Sequence, residues 1–248
     1  MNTRSCLGTL SLAGMLAFLA GCPNPQTYGT PRTLDPGKWQ IGVAAEAFGV
    51  SADVKTTNST GQVVTTREGV YLPNLPSVGA RVGLADRVDF GFGLKNLYSP
   101  TLDLKVNFLK TKYFDMSVAP MINYIFAATS GATVQLFYFH VPLLLGINFS
   151  EAVSLVLTPG FVYGLAVGTG TASTSATGSF YGSAPWFRIG GGVNIRVNRK
   201  IALPPEVTMI RSFSDDTGNA MAFFFGIGVS FLNQPDFSED WTGKKAAD

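Results

Sequence analysis

Val88-Asp89-Phe90-Gly91-Phe92-Gly93-Leu94-Lys95 decides the fold of this chain. Val88, Phe90, Phe92 and Leu94 fall on one face and Asp89, Gly91, Gly93 and Lys95 on the other, a period of two that belongs to a β-strand. The second face is small or charged. On the wet face of a soluble sandwich, glycine inside a strand weakens it and packs against nothing. Inside a narrow closed barrel, small side chains have a purpose because the lumen leaves little room. Residues 102–108 repeat the pattern, with Leu102, Leu104, Val106 and Phe108 set against Asp103, Lys105 and Asn107. Near the end of the chain Met221, Phe223, Phe225, Ile227, Val229 and Phe231 alternate with Ala222, Phe224, Gly226, Gly228 and Ser230.

Composition points the same way. Of 248 residues, 46% are hydrophobic and 14% charged, yet beyond residue 21 no uninterrupted apolar stretch reaches the ~18 residues of a helical membrane span. Such a chain either buries its apolar surface in a soluble all-β core or turns one face of each strand to lipid. Turn signals divide it into ten strands, at 38–50, 71–84, 87–97, 101–109, 114–127, 133–148, 152–165, 180–197, 200–213 and 220–232. The expected fold is all-β, a closed antiparallel up-and-down transmembrane β-barrel of about ten strands. Tight polar turns at 85–87, 110–112, 150–151 and 198–200 alternate with longer links at 51–70, 128–132, 166–179 and 214–219, the periplasmic-to-outside asymmetry of such barrels. Tyr98, Tyr124, Phe126, Tyr163 and Tyr181 fall near one set of strand ends, and Trp39, Tyr113, Phe149 and Phe231 near the other, as two interfacial girdles would. Pro120, Pro142, Pro159, Pro185 and the pair Pro204-Pro205 fall inside expected strands, where each removes a ladder donor, so a belt of bulges or bends is expected there.

The first 37 residues carry the address. Arg4 precedes an apolar run at 5–18 that closes on Leu19-Ala20-Gly21-Cys22. This segment resembles the lipobox of bacterial lipoproteins. The resemblance implies removal of a signal peptide at 1–21, diacylglycerol on Cys22, a lipidated tether at 22–37, a barrel at 38–232 and a periplasmic tail at 233–248. It also implies the bacterial outer membrane, with its lipid as partner. The last strand, 226–231, ending in Phe231, resembles the C-terminal assembly signal of outer-membrane proteins, from which it departs because residues 233–248 follow.

With Cys6 discarded and Cys22 acylated, no thiol is left for a disulfide, a metal or nucleophilic catalysis. Loss of Arg4 lowers the formal charge from +2 to +1, which gives no footprint for nucleic acid. Alternation turns Glu46, Asp89, Asp103 and Glu206 inward together with Arg81, Lys95, Lys105, Arg188 and Arg196. Buried charges must pair, so these read as an ion-pair network filling the lumen. The alternative is a charged constriction in a narrow pore for ions or small solutes. His140, the only histidine, faces inward without a second ligand and reads as a satisfied lumen residue. Omptin proteases resemble the chain in strand number, and lipid A deacylases and palmitoyltransferases in size and location, but they need a rim histidine with acids or a serine, and no such set is visible. Gly190-Gly191-Gly192 opens onto a strand, whereas a phosphate-cradling loop has to enter a helix, so no nucleotide site is expected there. Asp215-Asp216 with Gly218-Asn219 reads as turn chemistry before calcium binding. The expectation is a non-enzymatic barrel lipoprotein with a structural or interaction role, needing no cofactor or metal. A narrow pore is the first alternative and a lipid-anchored soluble β-domain the second.

Overall fold

The computed structural model describes residues 24–57, 62–129, 132–171, 177–213, 220–237 and 241. The period of two becomes fourteen strand segments in chain order: β1 (Trp39–Thr57), β2 (Val63–Pro73), β3 (Ser77–Ala85), β4 (Val88–Lys95), β5 (Ser99–Lys110), β6 (Phe114–Val118), β7 (Met121–Thr129), β8 (Ala132–Asn148), β9 (Val153–Leu157), β10 (Gly160–Thr171), β11 (Thr177–Arg196), β12 (Ala202–Leu203), β13 (Pro205–Ser212) and β14 (Met221–Leu232). Every pairing between these segments is antiparallel. β2 with β3, β6 with β7, β9 with β10 and β12 with β13 each share one place in the wall, which leaves a ring of ten strands. β14 closes it on β1, from Gln40 opposite Leu232 to Ser51 opposite Met221. The expected closed barrel is the observed fold. Its outer face is apolar: Ile227 is 51% exposed, whereas Phe224 on the inner face of the same strand is 1% exposed.

Three prolines interrupt the strands without shifting them. Val118 and Met121 flank Pro120 and face Leu143 and His140 of β8, so three residues oppose three and none is inserted. The same holds across Pro159, where Leu157 and Gly160 face Leu145 and Pro142, and across Pro204, where Leu203 and Glu206 face Ile195 and Gly192. The missing donors cost little because the carbonyls stay in the ladder. Pro120, Pro142, Pro159, Pro185 and Pro204 accept from Leu104, Ala119, Leu143, Phe213 and Gly228 at 3.0, 3.1, 2.8, 3.3 and 3.2 Å. The expected bulges at the prolines are therefore absent from these ladders. The register shifts lie instead between Gly83 and Ala85 and between Asn107 and Leu109.

The two ends of the barrel differ. At the turn end the chain reverses tightly, between β3 and β4, β5 and β6, β8 and β9, and β11 and β12. At the loop end the strands run on. Residues 51–57 and 63–70, expected as a loop, continue β1 and β2 in pairs from Ser51 with Gly69 to Thr57 with Val63; residues 166–171 and 177–179 likewise continue β10 and β11. Threonine and valine, which dominate these stretches, prefer a pleated backbone to a loop. The expected calcium or turn residues at 215–219 lie outside the described residues. One part of the wall stays low, because β4 and β5 reverse over Asn96 and Leu97, both left-handed with φ of 55° and 61°. Above that turn, among the described residues, β2 pairs with β1 alone and residues 125–129 of β7 pair with β8 alone.

The loop half of the lumen holds the apolar core. Phe48, Ile125, Tyr138, Val162, Ile210, Ala222 and Phe224 are buried together there, with Val50, Leu136 and Trp186 packed against them. Phe48 stacks on Phe224, its partner on the adjacent strand across the seam, and Tyr138 stacks on Trp186 across β10, with ring centroids 6.2 and 5.8 Å apart.

Candidate functional site: a lumen filled by the chain itself

The turn half is filled differently. Residues 24–37, expected as a tether outside the barrel, run up the inside of it. The segment enters at the turn end, where Gly37 N donates to Gly83 O at 2.8 Å and Leu34 N donates to Asp89 Oδ1 at 2.9 Å. It ends beside the β4–β5 turn, where the Asn24 amide donates to Glu46 Oε2 at 2.5 Å, to Ser77 Oγ at 3.4 Å and to Asn96 Oδ1 at 3.3 Å. Asn24, Gln26, Thr30, Arg32 and Leu34 are all buried. Inward glycines make the space. A Cβ on Gly226 would meet the Tyr28 hydroxyl and Gln26, and one on Gly146 would lie 2.9 Å from the Pro31 ring.

Four levels of polar contact hold this plug. Nearest the turn end, Arg32 Nε pairs with Asp115 Oδ2 at 2.8 Å, both side chains buried, and its other nitrogens donate to the carbonyls of Thr111 and Asp236 at 2.7 and 3.0 Å. Asn148 donates to the same Asp115 oxygen at 2.6 Å. The Phe237 ring is caught between Arg32 and Arg196, whose guanidinium carbons stand 3.9 and 3.6 Å from its centroid. Residues 233–237 of the expected periplasmic tail thus fold against the base of the barrel. One level up, Lys105 Nζ pairs with Asp89 at 3.1 Å and donates to the carbonyls of Thr30 and Arg32 at 3.1 and 2.6 Å. Arg81 pairs with Asp103 at 2.5 Å and stands 4.0 Å from Asp89. At mid-lumen Glu206 accepts from Thr27 N and Tyr28 N at 2.9 and 2.7 Å, with Arg188 3.9 Å away. Lys95 donates to Gln26 O at 2.6 Å. Glu46 receives Asn24 and Ser77 at the top.

The nine inward charges read from the sequence all face the lumen, but the structure does not join them into one network. Arg81, Asp89, Asp103 and Lys105 form one cluster and Arg188 with Glu206 a loose pair. Glu46 and Lys95 bind the plug, and Arg196 binds the turn carbonyls of Glu151 and Ser150 beneath Phe237. Cys22 lies outside the described residues. Sequence reasoning missed Arg32 and Asp115, the tightest buried pair. Asp115 alternates with Ser117 on β6 and could have been counted inward; Arg32 had no such signal, because it sits in a proline-rich stretch that reads as a linker. His140 is inward and fully buried as expected, yet neither ring nitrogen has a hydrogen-bond partner among the described residues, and the same is true of the Asn123 amide.

A closed strand ring, apolar outside and with polar groups turned inside, is the arrangement by which strands cross hydrocarbon. The fold is that of a transmembrane β-barrel. No protein-family model and no curated protein matches this chain. Among solved structures it is similar to the outer-membrane protease OmpT of Escherichia coli, at 8% identity over 82% of this chain and 99% of that one, with a TM-score of 0.49. It is also similar to the translocator domain of the autotransporter NalP of Neisseria meningitidis, at 11% identity, 92% and 98% coverage and a TM-score of 0.39. The attachment invasion locus protein Ail of Yersinia pestis follows at 11%, 77% and 97%, with a TM-score of 0.38.

Proposed function

We propose that this protein is a lipid-anchored, internally plugged outer-membrane barrel with a structural or interaction role at the cell envelope, and that it is neither an enzyme nor an open pore. The occupation of the turn half of the lumen by residues 24–37 carries this reading, because conduction needs a continuous water path and the buried pair of Arg32 with Asp115 stands across it. The turn end is assigned to the periplasm, since short turns face that side in barrels of this kind. The extended β1 with β2 and β10 with β11 then project outward and offer the surface for a partner. The lipid is assigned to Cys22 on the lipobox resemblance. The non-enzymatic reading rests on His140, the sole histidine, which is buried beside Tyr138 rather than set at a rim with acids or a serine.

Planar bilayers test the plugged state. The full chain should conduct little, whereas a variant lacking residues 24–34 should give steady openings. Stable ion-selective conductance from the unmodified protein would favour the narrow pore instead. That second reading has one observation behind it, a cavity of about 140 Å³ whose lining includes Tyr28 and Thr30 of the plug and Arg81, Lys95, Asp103 and Lys105 of the wall.

A further inference from the structure

The plug does not fill the turn half completely. A cavity of about 140 Å³ remains between residues 26–30 and the wall made by β14, β1, β3 and β4. Its floor is bare backbone, because the inward glycines Gly42, Gly79 and Gly93 lie opposite one another on three adjacent strands. A Cβ on Gly42 would meet no atom within 4 Å, whereas one on Gly226 or Gly146 would run into the plug. A cavity of this size has room for several waters or for a molecule of about six non-hydrogen atoms.

The polar groups around this space are mostly donors. Lys105, at its edge, uses all three N–H groups, on Asp89 and on the carbonyls of Thr30 and Arg32. Lys95 uses one, on Gln26 O at 2.6 Å; its ammonium stands 5.2 Å from the Tyr28 ring centroid, and no carboxylate pairs with it among the described residues. Arg81 gives Nη2 to Asp103, the carboxylate of the lining, but its Nη1 lies 4.0 Å from Asp89 and has no hydrogen-bond partner among the described residues. The hydroxyl of Thr30, a residue 3% exposed, also lacks one. Lys95 and Arg81 stand on opposite sides of the glycine row, since β4 runs against β3 with Gly93 opposite Gly79. Free N–H groups on cations held away from bulk water call for an acceptor that carries negative charge.

We propose that this cavity is a binding site for a small organic anion. Its carboxylate takes the free N–H groups of Lys95, its body lies over the glycine row beside Tyr28, and its far end points toward Arg81 Nη1 and Thr30. The apolar cluster closes the loop side, so the ligand enters from the turn end, where Gln40 and Gln234 form the rim with their amides joined at 2.8 Å. The site rests on the seated plug, because Tyr28 and Thr30 make one of its walls.

Titration of 4-fluorobenzoate into the full chain in detergent micelles, followed by fluorine NMR in chloride-free buffer, tests this. A saturable bound signal is expected. Lys95→Met keeps the reach of the side chain and removes its charge, and should weaken binding at least about tenfold, the worth of a hydrogen bond to a charged group. Gly42→Leu fills the floor and should abolish the signal, whereas Lys110→Met, exposed at the end of β5, should leave it unchanged. Heat modifiability reports the folding of each variant, and low conductance in planar bilayers reports a seated plug independently of binding. If Lys95→Met does not fold, Gly42→Leu decides, because its side chain enters open space. Absence of a saturable signal from a folded, non-conducting chain would overturn the site and leave the plug in place. A signal that survives both Lys95→Met and Gly42→Leu would mark partition into the micelle, and displacement by equimolar chloride would mark a site for inorganic anions; either would overturn the proposal.

Discussion

The turn half and the loop half of one lumen solve the same filling problem in opposite ways. In the turn half the wall contributes glycine and charge, and the chain's own first residues supply the volume. In the loop half the wall itself contributes Phe48, Ile125, Tyr138 and Phe224 and packs as an apolar core. The changeover falls at Glu46 and Glu206, where the plug's last amides are bound. Wall composition along a barrel strand therefore records where a second segment lies inside, since a glycine that would starve an empty lumen is the right residue beside a plug.

The largest expected effect tests the polar half. Asp115→Ala leaves Arg32 buried without its counter-ion, and the loss of a buried partner typically costs about 3–5 kcal/mol. Urea unfolding in detergent micelles should show it, and plug residues should become protease-sensitive; a loss below about 1 kcal/mol would mean that water solvates this level. In the apolar half, Phe224→Ala should cost about 3–4 kcal/mol through the cavity it leaves. It should do so without raising conductance, because Phe224 packs in the loop-half cluster with Phe48; increased conductance would show that the halves are coupled.

Gly226→Val sharpens the contrast where the halves meet. Its side chain would occupy the space of Tyr28 and Gln26, and overpacking of this kind costs about 1–3 kcal/mol, here with partial expulsion of the plug and measurable conductance. Gly42→Ala, on the neighbouring strand, meets no atom within 4 Å and should stay within about 0.5 kcal/mol of the native protein. Equal effects at the two positions would deny the plug its place. The smallest effect belongs to the low wall: Leu97 holds a left-handed φ of 61° and is 44% exposed, so Leu97→Gly should stabilise by about 0.5–1 kcal/mol.

The strands were legible because alternation is a short-range property that each strand states for itself, as Val88-Asp89-Phe90-Gly91 does. Their ends were less so. Val63, Val64, Thr65 and Thr66 lack an apolar partner face and were read as loop, although their β-branched backbone preference continues the ladder. The inward charges were legible by parity, but their partners were not, because parity says nothing about a third body in the lumen. Pro25, Pro31 and Pro36 made residues 24–37 look like a linker, since a chain free of ladder hydrogen bonds has the same composition whether water or a barrel surrounds it. The glycines of β14 were the one trace of it, and they were read as a narrow lumen rather than an occupied one.

The clasp of Phe237 between Arg32 and Arg196 has a consequence for assembly. Gln26 meets Glu206 across 180 positions of sequence, and the seam joins the first strand to the last, so closure is a late, long-range event. The residues that seal the base are made directly after that last strand. Phe237 and Asp236 pack on Arg32 of the plug at the turn end, so the tail can take up this position only against a seated plug. The two ends of the chain thus hold each other: each supplies part of the contact that keeps the other at the base.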